Sequence, residues 1–136
     1  MSADLDLPRR AVAAGWKWQA GALAINAGGP VRIDGCDSFN EPFVWGKCQW
    51  SGERVELWVR EMPLPDFNDP ATRGVLLQQV RERWGDERLC PVWTGANVYR
   101  WVVRNRDGKM LVWGHDSETA ALVCAMEAAP KEKGNG

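Results

Sequence analysis

The stretch from Asp69 to Gly85 constrains the fold more than any other part of the chain, because its ends and its periodicity both specify a helix. Asp69 can cap the first free N–H groups, Pro70 suits a first helical position that needs no amide proton, and Gly85 suits the residue just past the end. Leu76, Leu77, Val80 and Trp84 recur at three- and four-residue spacing and form the expected core stripe. Gln78, Gln79, Arg81, Glu82 and Arg83 take the expected solvent side. A helix with one apolar stripe must lie on something, and its surroundings in sequence read mostly as strands.

Residues Leu7 to Ala14 form a short opening helix bounded by Pro8 and Gly15. Trp16 to Ile25 and Val31 to Asp34 flank Asn26-Ala27-Gly28-Gly29-Pro30, a hairpin whose proline is expected to stop further pairing. Gly35 to Pro42 is polar and irregular, and Phe43 to Trp50 is aromatic-rich, with Gly46 marking a bulge. Ser51-Gly52 turns the chain into Glu53 to Arg60, where Val55, Leu57 and Val59 share one face, expected to be buried, and Arg54, Glu56, Trp58 and Arg60 share the other. Met62 to Pro65 is an extended connector. After a loop through Cys90-Pro91, a second hairpin pairs Val98 to Arg104 with Lys109 to Trp113 across Asn105-Arg106-Asp107-Gly108. A last helix, Glu118 to Ala129, starts after Ser117, buries Ala121, Leu122, Ala125 and Met126, and stops at Pro130, with a polar, disordered tail over Lys131 to Gly136. The expectation is an α+β fold in one domain, residues 1–130, with an antiparallel sheet of about five or six strands and two main helices packed on one face.

With 17 basic against 18 acidic residues, the chain carries no net field that would draw nucleic acid or an anionic membrane. Its apolar runs are short, and the opening Met1 to Arg10 has acids and a proline where a signal peptide needs a basic end and an apolar run, which predicts the cytoplasm. Cys36, Cys48, Cys90 and Cys124 include no closely spaced pair and read as free, mostly buried thiols, with no metal or other cofactor implied. His115 is the sole histidine and reads as a solvated loop residue; a catalytic reading would require a thiol or carboxylate beside it in a cleft, so the chain is taken as non-enzymatic. Asp34, Asp37 and Glu41 could hold a hard cation, but turn and capping chemistry explains them as well.

Gly15-Trp16-Lys17-Trp18, the D-P-A-T-x-G-x-L-L segment from Asp69 that continues through Val80-Arg81-Glu82-Arg83-Trp84-Gly85-Asp86, and the alanine-rich helix after Ser117 together resemble an uncharacterised family of small tailed-phage and prophage accessory proteins. The resemblance covers roughly a third of the chain and implies a phage accessory role rather than a chemistry. Small proteins of that origin often act by binding and disabling a host protein, including components of anti-phage defence. The stretch from Val31 to Arg60 lies outside the resemblance.

Nine tryptophans in 136 residues are more than a core of this size can hide, so some must reach the surface. Trp58 is the sharpest candidate because it interrupts a polar face between Glu56 and Arg60, and Trp45, Trp50 and Trp93 stand near turns where they could join it. These six residues form the expected partner-binding set, for a protein partner from a bacterial host or for a second copy of the chain. A Trp-lined pocket for a nucleotide-like or sugar-like molecule is the alternative. Arg100, Arg104 and Arg106 give a local basic patch that could contact nucleic acid, though alternation points the neighbouring aromatics to the opposite face.

Overall fold

The computed structural model describes residues 6–26, 29–59, 63–95, 101–115 and 117–129. Arg60, Arg100, the start of the expected strand at Val98 and the expected tail from Lys131 lie outside the described residues. Three helices and nine strands are present among them: α1 (Asp6–Ala13), β1 (Leu23–Asn26), β2 (Gly29–Arg32), β3 (Gly35–Cys36), β4 (Pro42–Lys47), β5 (Arg54–Trp58), β6 (Leu64–Pro65), α2 (Pro70–Trp84), β7 (Cys90–Trp93), β8 (Trp101–Arg104), β9 (Met110–His115) and α3 (Glu118–Ala128). The class is α+β as expected, but the strands form three separate three-stranded sheets, ordered β2-β1-β6, β3-β4-β5 and β7-β8-β9, instead of one sheet of five or six. Every pairing is antiparallel. Very short strands explain the division, since β3 and β6 are two residues each and offer little ladder through which to join neighbours.

The chain forms two compact units, one running from Trp16 to Val75 and the other comprising the described residues up to Gly15 and from Leu76 onward. In the Trp16–Val75 unit, β1 and β2 make the expected hairpin from Leu23↔Arg32 to Asn26↔Gly29. Pro30 does not stop the pairing; it sits opposite Ile25 on β2, an edge strand, where a missing N–H costs nothing. Met62 to Pro65 was expected as a connector; Met62 lies outside the described residues, and Leu64–Pro65 forms β6 on the other side of β1. Trp16 and Trp18 are both buried and meet edge to face at 5.7 Å, with Phe67 on Trp16 at 5.5 Å. Asn40, in the left-handed conformation with φ 63°, clasps this segment. Its Oδ1 accepts the Trp18 N–H at 2.7 Å and its Nδ2 donates to the Trp16 carbonyl at 2.7 Å, as a neighbouring peptide group would.

The start of α2 is tied down in the same unit. Asp69 Oδ2 accepts from the Thr72 N–H at 3.0 Å and the Thr72 hydroxyl at 2.8 Å, and that hydroxyl accepts the Leu23 N–H at 2.8 Å. Arg32 closes on the same carboxylate with Nη1–Oδ2 at 2.7 Å and Nη2–Oδ1 at 3.1 Å. These contacts, led by the Arg32 hydrogen bond, hold the Asp69 carboxyl down at about 2.

In the other unit, α2 ends as expected at Gly85, whose φ of +63° permits the bonds Gly85 N–H to Glu82 and Asp86 N–H to Arg81 that close the last turn. Leu76 and Val80 are buried, but so is Gln79, which was expected on the solvent side, while Leu77 and Trp84 are half-buried. The stripe is turned because Arg83, four residues beyond Gln79, reaches inward to the carbonyls of Ala14 and Gly15 at the end of α1. Trp84 donates its indole N–H to the Ala125 carbonyl at 2.9 Å, joining α2 to α3. Asp86 Oδ2 accepts the Arg106 N–H at 2.8 Å, which fixes the β8–β9 turn.

Cys90–Trp93 is a strand and not the expected loop: Pro91 pairs opposite Val103 on β7, the edge of its sheet. Val102 and Val103 are both buried, so strict alternation fails on β8. The register slips between Trp101 and Val103 and again between Val103 and Arg104, with the extra residues on β9. The α3 helix packs against all three strands and against α1, its Ser117 cap accepting the Ala120 N–H at 3.0 Å. The expected buried set of Ala121, Leu122, Ala125 and Met126 is extended by Val123.

Candidate protein-binding face

The β3-β4-β5 sheet brings two of the expected partner-binding tryptophans together. Register pairs Phe43↔Trp58, Val44↔Leu57, Trp45↔Glu56, Gly46↔Val55 and Lys47↔Arg54. Since residues directly opposite project to the same side, one face carries Phe43, Trp58, Trp45, Glu56, Lys47 and Arg54. Phe43 stands between the indoles, edge to face with Trp45 at 5.2 Å and with Trp58 at 5.1 Å. Its own ring lies over Gly35 of β3, where a Cβ would meet the ring at 2.7 Å. The Arg54 guanidinium sits 4.2 Å from the Trp45 ring centroid, a cation–π contact worth about 0.5–1 kcal/mol when exposed. Trp58 is 37% and Trp45 40% exposed, so contact within the ladder leaves a large part of each indole open.

The opposite face corrects a second expectation. Val55 and Val59 are half-buried and Leu57 is 49% exposed, so neither side of β5 is a buried side. Gly46 is no bulge; it pairs in register with Val55 and lets the Leu57 side chain settle on it, in the space a Cβ would need.

The backbone adds a third open surface. The Cys48 N–H donates to the Glu53 carbonyl at 2.8 Å, and the Val59 N–H to the Pro42 carbonyl at 2.9 Å. Pairing alternates in an antiparallel ladder, so Glu53, Val55, Leu57 and Val59 turn their backbone groups to β4. Arg54, Glu56 and Trp58 turn theirs to the sheet edge, because β5 is the last strand of its sheet among the described residues. The three edge-facing residues of β5 are the same three that line the aromatic face.

The other expected site residues are distributed elsewhere. Trp50 caps the β4–β5 turn at 87% exposure. Trp93 lies on β7 in the other unit, where its ring meets Trp101 at 5.6 Å. Arg104 and Arg106 are exposed on β8 and in the β8–β9 turn, and Arg100 falls outside the described residues. Asp34, Asp37 and Glu41 build the turn around β3. Asp37 Oδ1 accepts the Phe39 and Glu41 N–H groups at 2.9 Å each, and Asp34 Oδ2 accepts the Trp45 N–H at 2.7 Å.

His115 is no loop residue; it ends β9 opposite Trp101, half-buried, with Nδ1 3.7 Å from Cys124 Sγ. All four cysteines are free, but none is fully buried, and Cys36 is exposed. Among the described residues no three His, Cys, Asp or Glu side chains gather closely enough to hold a metal ion, and no helix is long and apolar enough to cross a membrane.

Sequence reasoning missed Phe43 and Lys47 as members of the face, and it put Arg54 on that face without counting it in the partner-binding set. The signal was the turn: pairing Cys48 with Glu53 around Ser51-Gly52 would have set every opposite pair down to Phe43 and Trp58. No protein-family model matches the chain, and no curated protein or solved structure matches it.

Proposed function

We propose that the chain is a non-catalytic binding protein whose β4–β5 face and β5 edge receive an extended segment of a partner protein. The single observation that carries this reading is the coincidence of the Phe43-Trp45-Trp58 ladder with the open edge of the strand that bears Trp58. An added strand would take its backbone hydrogen bonds from Arg54, Glu56 and Trp58 and its specificity from the side chains beside them. Trp58 and Phe43 suit an apolar side chain. Lys47 and Arg54, like charges directly opposite each other, are eased by an acidic one. A tryptophan pair flanked by arginine has the composition of an interface hot spot.

The resemblance to phage accessory proteins supports a partner from the bacterial cytoplasm, with a component of anti-phage defence as the biological target. A second copy of the chain is a further occupant the same edge would accept. The test is affinity isolation from host lysate with the native protein and with Trp58→Ser, followed by titration of the purified partner. The reading expects a stoichiometric protein bound by the native chain and weakened about 30-fold or more by the substitution, the loss of a hot-spot side chain. Equal retention by both proteins would overturn it.

A further inference from the structure

In the unit that contains α1 and α3, three elements converge on one sulfur. Arg10 of α1 donates through Nη2 to Cys124 Sγ at 3.2 Å, and His115 at the end of β9 places Nδ1 3.7 Å from the same atom. Arg10 is itself held by Glu127, one turn further along α3, through Nε–Oε2 at 3.1 Å and Nη2–Oε1 at 2.5 Å, with Asp6 at 3.8 Å from Nη1. Glu127 and Asp6 pair with the guanidinium that also donates to the sulfur. His115 Nδ1 is the neighbouring nitrogen that can accept the thiol proton in the tautomer that carries its hydrogen on Nε2. Cys124 is half-buried.

We propose that Cys124 is a reactive thiol activated by His115 and Arg10, a site of oxidation by peroxides. His115 Nδ1 takes the thiol proton, and the sulfur attacks one peroxide oxygen. An S–O bond forms as the O–O bond breaks. The sulfur loses two electrons to become a sulfenic acid, and the departing hydroxide or alkoxide takes the proton from the imidazolium and leaves as water or alcohol. The remaining cysteines lack this arrangement: Cys36 donates its S–H to the Trp18 carbonyl at 2.9 Å. Cys48 is the one rival, since the Ser51 hydroxyl and the Ser51 and Trp50 N–H groups hold its thiol below the ordinary value without a histidine.

The test uses the full chain, hydrogen peroxide and dimedone, with labelling at each cysteine followed by peptide mass spectrometry from about pH 6 to about pH 9. Near neutral pH, Cys124 is expected to label at least about tenfold faster than Cys36 or Cys90, an advantage that shrinks as alkali ionises every thiol. His115→Asn keeps a hydrogen-bonding group at Nδ1 but removes the base. It is expected to slow Cys124 about tenfold while leaving Cys48 and Cys36 unchanged. Labelling of Cys124 at the rate of Cys36 in the native protein overturns the proposal without reference to any variant. A His115→Asn protein that labels Cys124 at the native rate overturns it as well.

Discussion

The β7-β8-β9 and β3-β4-β5 sheets are both three-stranded and antiparallel, yet they hold themselves together in opposite ways. The first is covered by α3, buries two successive valines of β8, and gives up strict alternation to do so. The second keeps strict register over five pairs and buries no residue of β5. A bulged strand under a helix sacrifices regularity for burial, whereas β5 keeps its regularity and leaves its indole outside. The difference separates side chains retained for stability from side chains that stability does not explain.

The sharpest way to break this comparison is to truncate buried and exposed apolar residues and follow denaturant unfolding. Trp16→Ala, in the core of the Trp16–Val75 unit, is expected to cost about 3–5 kcal/mol, and Leu122→Ala on α3 about 2–5 kcal/mol. Leu57→Ala and Trp58→Ser on β5 are expected to cost less than about 1 kcal/mol each, for they leave no cavity. A large loss at Leu57 would mean that the second sheet is a core element after all.

A middle-sized effect is expected at the start of α2. Asp69→Ala removes a cap and leaves the buried Thr72 hydroxyl without its acceptor, a loss of about 2 kcal/mol. The same carboxylate sets an acid limit. Its folded value is lowered from 3.8 to about 2, so its contribution is present above about pH 4 and is lost as pH falls toward 2. Asp69→Asn should therefore lower the urea midpoint near neutrality, where the native carboxylate contributes in full, and flatten the native decline between about pH 4 and about pH 2, as urea midpoints measured across pH will show. The smallest effect is expected from Arg54→Gln, which removes the cation–π contact on Trp45 and should cost about 0.5 kcal/mol in stability while shifting tryptophan fluorescence.

Local chemistry made the helices legible. The caps at Asp69, Ser117 and Gly85 and the β8–β9 turn around Gly108 depend on residues within a few positions of one another, and they are found where the sequence puts them. What it did not show depends on distant partners. Pro91 reads as a strand breaker until β7 is known to be an edge, and Gln79 reads as exposed until Arg83 is seen reaching to α1. The candidate face was half legible in the same sense. Alternation on β5 put Arg54, Glu56 and Trp58 on one side, but only cross-strand register brings Phe43, Trp45 and Lys47 to them. His115 was misread because a half-buried thiol nine residues away in sequence lies on another element.

Hydrogen exchange on the protein alone and in its isolated complex tests the central claim most directly, because the β5 amides carry an alternating signature. In the free protein the N–H groups of Val55, Leu57 and Val59 should exchange slowly and those of Arg54, Glu56 and Trp58 quickly. The account predicts that the partner slows Arg54, Glu56 and Trp58, removing the alternation. Protection that appears on β7, β8 or β9 and leaves those three amides fast would contradict it.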